Sequence, residues 1–143
     1  MIKLFEDYRN PLFENVKVLR QKVFVDEQGA DKSAVFDDAD TEKGTMFALA
    51  FDGDCAVATG RLVRTEKGYK IGRVAVLSSK RGKGTGKALI EFLCNTADEN
   101  GAQEIRVDSQ LHAVPFYNKL GFEATGEDEK LDIGLTHKPM RKE

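Results

Sequence analysis

The stretch Ile71–Leu93, IGRVAVLSSKRGKGTGKALIEFL, constrains the fold more than any other. An apolar run from Val74 to Leu77 passes through two serines into a basic, glycine-rich turn, Lys80 to Lys87. A helix follows at once, with Ala88, Leu89, Phe92, Leu93 and Ala97 at the spacing of one helical face. A strand–glycine turn–helix unit turns unpaired backbone N–H groups and the positive end of a helix dipole outward, which makes an anion site. Gly82, Gly84 and Gly86 let a ligand come close to the backbone, and Arg81, Lys83 and Lys87 add charge. This turn is expected to bind a phosphate.

Around it the chain reads as alternating elements. Ile2 to Phe5 is a short strand; from Pro11 the apolar stripe Leu12, Val16, Leu19, Val23 marks a helix ending near Val25 or Asp26, with Lys17, Arg20 and Lys22 off the stripe. Glu27 to Gly44 is polar and acidic. It reads as a solvated loop, part of which lines a site for a cationic or amine substrate, with Glu27-Gln28 at a pocket edge. Met46–Phe51, Cys55–Arg64 and Tyr69–Leu77 are three strands joined by the turns Asp52-Gly53-Asp54 and Glu66-Lys67-Gly68, an antiparallel meander. A helix from Lys83 to Glu99 stops before Gly101. The strand Glu104–Asp108 after it lies parallel to the strand at Val74, because a crossover helix connects them. A short helix at Pro115 capped by Gly121, a strand from Phe122, an acidic turn and a last strand from Gly134 to Met140 complete the chain. The expected fold is one α+β domain over residues 1–143. It has a mixed, mostly antiparallel sheet of six or seven strands, helices on both faces, and a parallel pair where a ligand crevice can open.

Composition narrows the function. The net charge of −2 supplies no electrostatic case for nucleic acid or an anionic membrane, so the basic turn stands out locally. The start lacks a signal-peptide run and no long apolar stretch occurs, so a cytoplasmic location is expected. Cys55 and Cys94 read as buried, reduced thiols, and with two histidines no metal site is expected.

Spacing decides which phosphate ligand the turn suits. A P-loop fails, because Ala88 follows Gly86-Lys87 and Arg81 stands where the first glycine belongs. A dinucleotide fingerprint fails, because Gly82, Gly84 and Gly86 are spaced two and two. Arg-x-x-Gly-x-Gly fits Arg81, Gly84 and Gly86. With LRQKVFVDEQG in the first helix and QLHAVPFYNKLGFEATGE near the C-terminus, the chain resembles the GNAT superfamily of acyl-CoA-dependent N-acyltransferases, in particular its small bacterial YjcF/ElaA-like branch.

The resemblance implies acetyl-CoA as acyl-donor cosubstrate and a primary amine as acceptor. It implies that Arg81, Gly82, Lys83, Gly84, Thr85, Gly86 and Lys87 hold the pyrophosphate. It places the Val74, Ala75 and Val76 backbone along the pantetheine arm, with an N–H near Val76 as oxyanion donor. Many relatives carry an asparagine seven residues before the tyrosine; here that position is Gln110. Tyr117 matches the general acid for the leaving thiolate; a phenol (pKa ~10) and a thiol (~8.5) are close enough for the transfer. Glu27 is the first candidate base, with Asp38, Asp40 and His112 as others, while His137 reads as a satisfied strand residue. Arg61 and Arg73 could bind a substrate carboxylate or belong to a solvated face. The partners expected are a small-molecule or peptide amine and at most a second copy of the chain, with no nucleic acid and no membrane. The alternative is a non-catalytic acyl-CoA-binding or sensing module with the same cradle.

Overall fold

The computed structural model describes all residues, 1–143. Eight strands form one sheet: β1 (Ile2–Glu6), β2 (Met46–Asp52), β3 (Cys55–Arg64), β4 (Gly68–Val76), β5 (Glu104–Gln110), β6 (Glu123–Ala124), β7 (Lys130–Asp132) and β8 (Leu135–Lys142). Their order is β1-β2-β3-β4-β5-β8-β6, with β7 paired to β8, and β4–β5 is the parallel pair. The helices are α1 (Phe13–Arg20), α2 (Thr85–Glu99) and α3 (Val114–Lys119). The strand β7 lies in the segment expected to be an acidic turn.

Each face of the sheet buries one helical stripe. Leu89, Ile90, Leu93 and Ala97 of α2 pack with Leu62, Tyr69, Ile71, Val107 and Tyr117. On the other face Phe13, Val16 and Leu19 of α1 meet Phe5, Phe47 and Leu49. Past Arg20, α1 winds on as a seven-residue π-turn, Gln21–Glu27. Insertions of this kind recur at functional sites because they re-aim side chains. Here Val23 and Phe24 press against Ala75 and Ile133.

Two backbone features open the centre of the sheet. The ladder between β4 and β5 runs from Gly68↔Glu104 to Ile71↔Val107 and stops there. On the β3 side Thr59 pairs with Ala75 and Arg61 with Gly72, so two steps on β3 span three on β4. That bulge is centred on Arg73, whose φ of 48° lies in the left-handed region. A bulge bends its strand and raises its twist, which turns the rest of β4 away from β5. The conformation is costly for a non-glycine residue and persists only where its surroundings hold it. Arg73 is held by its guanidinium, which donates to Val35 O (3.0 Å), Ala34 O (3.3 Å) and the carboxylates of Asp132 and Asp37.

Gly68 sets the tight end of the pair. A Cβ there would lie 2.2 Å from Glu104 O and 2.9 Å from the Ala102 side chain. Gly68→Ala is expected to destabilise by roughly 2–3 kcal/mol, at the upper end of overpacking costs. Urea unfolding checks this, and a midpoint equal to that of the parent would contradict it.

Candidate active site

A cleft of about 920 Å³ opens where β4 and β5 part. Val74 and Val76 line one wall, Gln110 the other, and Gly82, Gly84, Gly86, Arg81 and Lys87 the mouth; Tyr117, His112, Glu27 and Gln28 also face it. Most of the residues singled out in the sequence therefore meet in one place. Three do not. Ala75 is buried under the π-turn, on the opposite side of its strand, and Lys83 and Thr85 face a separate hollow of about 610 Å³ beside β2 and α2.

The glycine turn before α2 has the left-handed residues its sequence calls for. Gly84 precedes α2 with φ 84° and Gly82 has φ 73°, conformations that favour glycine. No side chain caps α2, so the N–H groups of its first turn face the cleft mouth without a protein partner. Gly86 differs: its φ is not in the left-handed region, and a Cβ there would make only ordinary van der Waals contact with Val76 and Phe116, at 3.6 and 3.7 Å.

Tyr117 is 6% exposed, and its ring meets Phe116 and Phe122 edge-on at 5.1 and 5.7 Å. The hydroxyl has no hydrogen-bond partner in the protein and belongs to the cleft lining. Burial, with Cys94 nearby, pushes the phenol above its ordinary value. It therefore stays protonated at neutral pH. A thiolate formed in the same apolar surroundings is raised for the same reason, so the two acidities need not diverge.

The acidic loop departs from its expected character. Asp40 is 4% exposed and bridges two guanidiniums, taking Arg20 at 2.8 and 3.0 Å and Arg61 at 2.9 Å. Asp37 receives Arg61 at 2.6 and 2.9 Å and Arg73 at 3.2 Å. Three arginines and three aspartates, with Asp132 closing the chain, thus form a network running from α1 to the cleft. Arg20, expected off the apolar stripe, is 1% exposed. Arg61 and Arg73 belong neither to a solvated face nor to a free carboxylate clamp, since both are buried and occupied. Asp40 is engaged away from the cleft lining, and Asp38 is not part of that lining either. Cys55, expected to be buried, is exposed at the β2–β3 turn; Cys94 is buried. His137 is buried and shares a hydrogen bond of 2.8 Å with Leu135 O.

Burial alone would raise the Asp37 carboxyl, but Arg61, Arg73 and Arg20 outweigh it and hold it at about 2; Asp40 is lowered against burial by Arg20 and Arg61. Both folded values lie below the unfolded ~3.9. The stability these groups add is therefore full above that value and lost as pH falls through the folded values. Asp40→Asn leaves two buried guanidiniums short of charge and is expected to cost about 3–5 kcal/mol at pH 7. A loss below 1 kcal/mol in chemical denaturation would contradict the buried bridge.

All three carboxylates in the cleft lining are ion-paired: Glu27 with Arg81, Asp108 with Lys70, and Asp132 with Arg73. Asp108 also faces Lys130 at 3.3 Å. Arg81 lowers the Glu27 carboxyl through their hydrogen-bonded pair, against slight desolvation.

Comparison with known proteins agrees with this geometry. Residues 14–143 match the model of the acetyltransferase (GNAT) domain. The chain is 35% identical over 126 residues to the uncharacterised N-acetyltransferase YjcF of Bacillus subtilis, covering 87% of this chain and 88% of YjcF. The Escherichia coli ElaA structure superposes with a TM-score of 0.88 at 23% identity, covering 100% of this chain and 99% of ElaA. An acyl-CoA N-acyltransferase from Pseudomonas aeruginosa superposes with a TM-score of 0.85 at 25% identity, covering 100% and 99%. The chain belongs to the GNAT family of acetyltransferases.

Proposed function

We propose that the protein is an N-acetyltransferase that moves the acetyl group of acetyl-CoA to a primary amine by direct attack in a ternary complex. The observation that carries this reading is the meeting, in one cleft, of an unpaired strand edge, an uncapped helix N-terminus and a partnerless tyrosine hydroxyl. The α2 N–H groups, with Arg81 and Lys87, suit the pyrophosphate. The free edge of β4 at Val74 and Val76 suits the amides of the pantetheine arm, and Gln110 suits a further polar contact from β5.

The roles then follow from chemistry. The amine nitrogen adds to the thioester carbon, and a backbone N–H near Val76 holds the oxygen as it turns negative. The carbon–sulfur bond breaks and Tyr117 gives its proton to the leaving thiolate. The proton lost by the amine goes to Glu27, which is ionised at neutral pH as a base must be.

Charge in the cleft limits the acceptor. A polyamine or aminoglycoside brings several ammonium groups, each needing a carboxylate, and every lining carboxylate already has a cation. Amines without a second positive charge are the class this cleft accommodates. Such monoamines are expected to give kcat/KM roughly tenfold or more above diamines of equal length, the worth of about 1.4 kcal/mol for one unmade charge contact.

The same pairing favours a second reading, a non-catalytic acyl-CoA-binding module, since no lining carboxylate is free to act as base. A thiol-release assay with acetyl-CoA and a panel of amines and amine-bearing peptides separates the two. Amine-dependent thiol release supports the enzyme; acetyl-CoA binding with no release across the panel supports the binding module.

A further inference from the structure

The end of the π-turn straddles the parting strands. Glu27 takes the Arg81 guanidinium through two hydrogen bonds, with Nη2 2.7 Å from Oε1 and Nη1 on Oε2. Arg81 also donates to the Val76 carbonyl at the end of β4, from Nε at 3.1 Å and Nη2 at 2.9 Å. The next residue, Gln28, exchanges two amide hydrogen bonds with Gln110 at the end of β5, at 3.1 and 3.0 Å. Two consecutive residues are thus fastened to the two diverging strands, and all four side chains face the cleft.

Two demands meet on Arg81. Its guanidinium holds Glu27, and it opens the glycine turn assigned to the pyrophosphate. Carboxylate and phosphate both take the same planar fork of donors, so one guanidinium cannot serve both fully. Arg81 and Glu27 are 42% and 39% exposed, so their pair is of the weak, solvent-screened kind. A pyrophosphate seated on the α2 N–H groups outcompetes such a pair. In its present place Arg81 also occupies the Val76 carbonyl, an acceptor on the strand edge assigned to the pantetheine arm.

We propose that Arg81 is the positioning residue for Glu27: it keeps the carboxylate engaged until the acyl donor's pyrophosphate draws the guanidinium away, and donor binding thereby frees Glu27 for the incoming amine. Gln28, tied to Gln110, holds the π-turn in place while the Glu27 side chain is released. This inference rests on the reading of the cleft as an acyl-CoA site.

The test is coenzyme A binding by calorimetry, in a double-mutant cycle with Glu27→Gln and Arg81→Ala. Glu14→Gln, which removes the same charge from the exposed outer face of α1, serves as control. Removing the competitor frees Arg81, so Glu27→Gln is expected to tighten coenzyme A binding about two- to fivefold, the range of an exposed ion pair. Glu14→Gln should leave affinity unchanged, and the gain from Glu27→Gln should vanish when Arg81 is alanine. Affinity equal to or weaker than the parent in Glu27→Gln overturns the proposal. So does a gain that survives without Arg81, which would be bare repulsion between carboxylate and phosphate. If the parent chain binds no coenzyme A, the acyl-CoA reading falls together with the inference; if the parent binds and Glu27→Gln does not tighten it, only the inference falls.

Discussion

Replacing Tyr117 by phenylalanine is expected to lower turnover by roughly 10²-fold or more, the lower end of what a positioned acid contributes, while leaving stability and acetyl-CoA affinity almost unchanged. The hydroxyl has no protein partner, so its removal orphans no buried group. The ring and its edge contacts with Phe116 and Phe122 remain. The stability change should therefore stay within about 0.5 kcal/mol. A residue that merely filled the core would show no such split between kcat and the unfolding midpoint. Single-turnover thiol release, beside a thermal melt, checks both halves. Unchanged turnover would mean that the thiolate takes its proton from water or another group.

Replacing Gly84 by aspartate is expected to lower acetyl-CoA affinity about 100-fold or more, the loss of one or two charge-assisted hydrogen bonds worth ~1.5–3 kcal/mol each. The added carboxylate would stand at the uncapped start of α2, where the phosphate is assigned. A Cβ at Gly84 meets nothing within 4 Å, so no clash accompanies it. The φ of 84° makes any side chain strained there, at a cost of about 1–2 kcal/mol. Gly84→Ala separates the two effects, since it carries the strain without the charge and should lose far less affinity. Retained affinity in Gly84→Asp would refute the cradle.

The β4–turn–α2–β5 unit was legible in the chain because three independent signals agree there. An apolar run becomes a helical stripe, glycines fall at the junction, and a crossover helix forces the next strand parallel. That placed the cleft as well, since Tyr117 lies just past β5. The bulge at Arg73 was not legible, because one extra residue in a nine-residue strand leaves the alternation nearly intact. The π-turn was hidden for a like reason: Val23 and Phe24 suit either winding over seven residues.

The buried network failed for a different reason. Arg20, Arg61 and Arg73 are separated in sequence from Asp37, Asp40 and Asp132, and charge density alone reads as a solvated loop. Their immediate neighbours carried no signal either: Arg106 lies between Ile105 and Val107 in β5, with apolar flanks like those of Arg61 and Arg73, and its side chain is 25% exposed. Neighbours in a strand point to opposite faces, so an arginine beside an apolar residue reads as outward-facing. The buried pairing became visible only once the acidic loop was placed against the sheet, where it supplies two of the three aspartates. The part of the cleft lined by this loop and β7, at Ala39 and Asp132, was therefore the least readable.

The most direct test of the site is calorimetric titration of the full chain with acetyl-CoA. Binding of one acetyl-CoA per chain in the micromolar range, lost in Gly84→Asp and kept in Tyr117→Phe, is the expected result. No binding at high micromolar acetyl-CoA would contradict the acyl-CoA site, and with it both the enzyme and the binding-module readings.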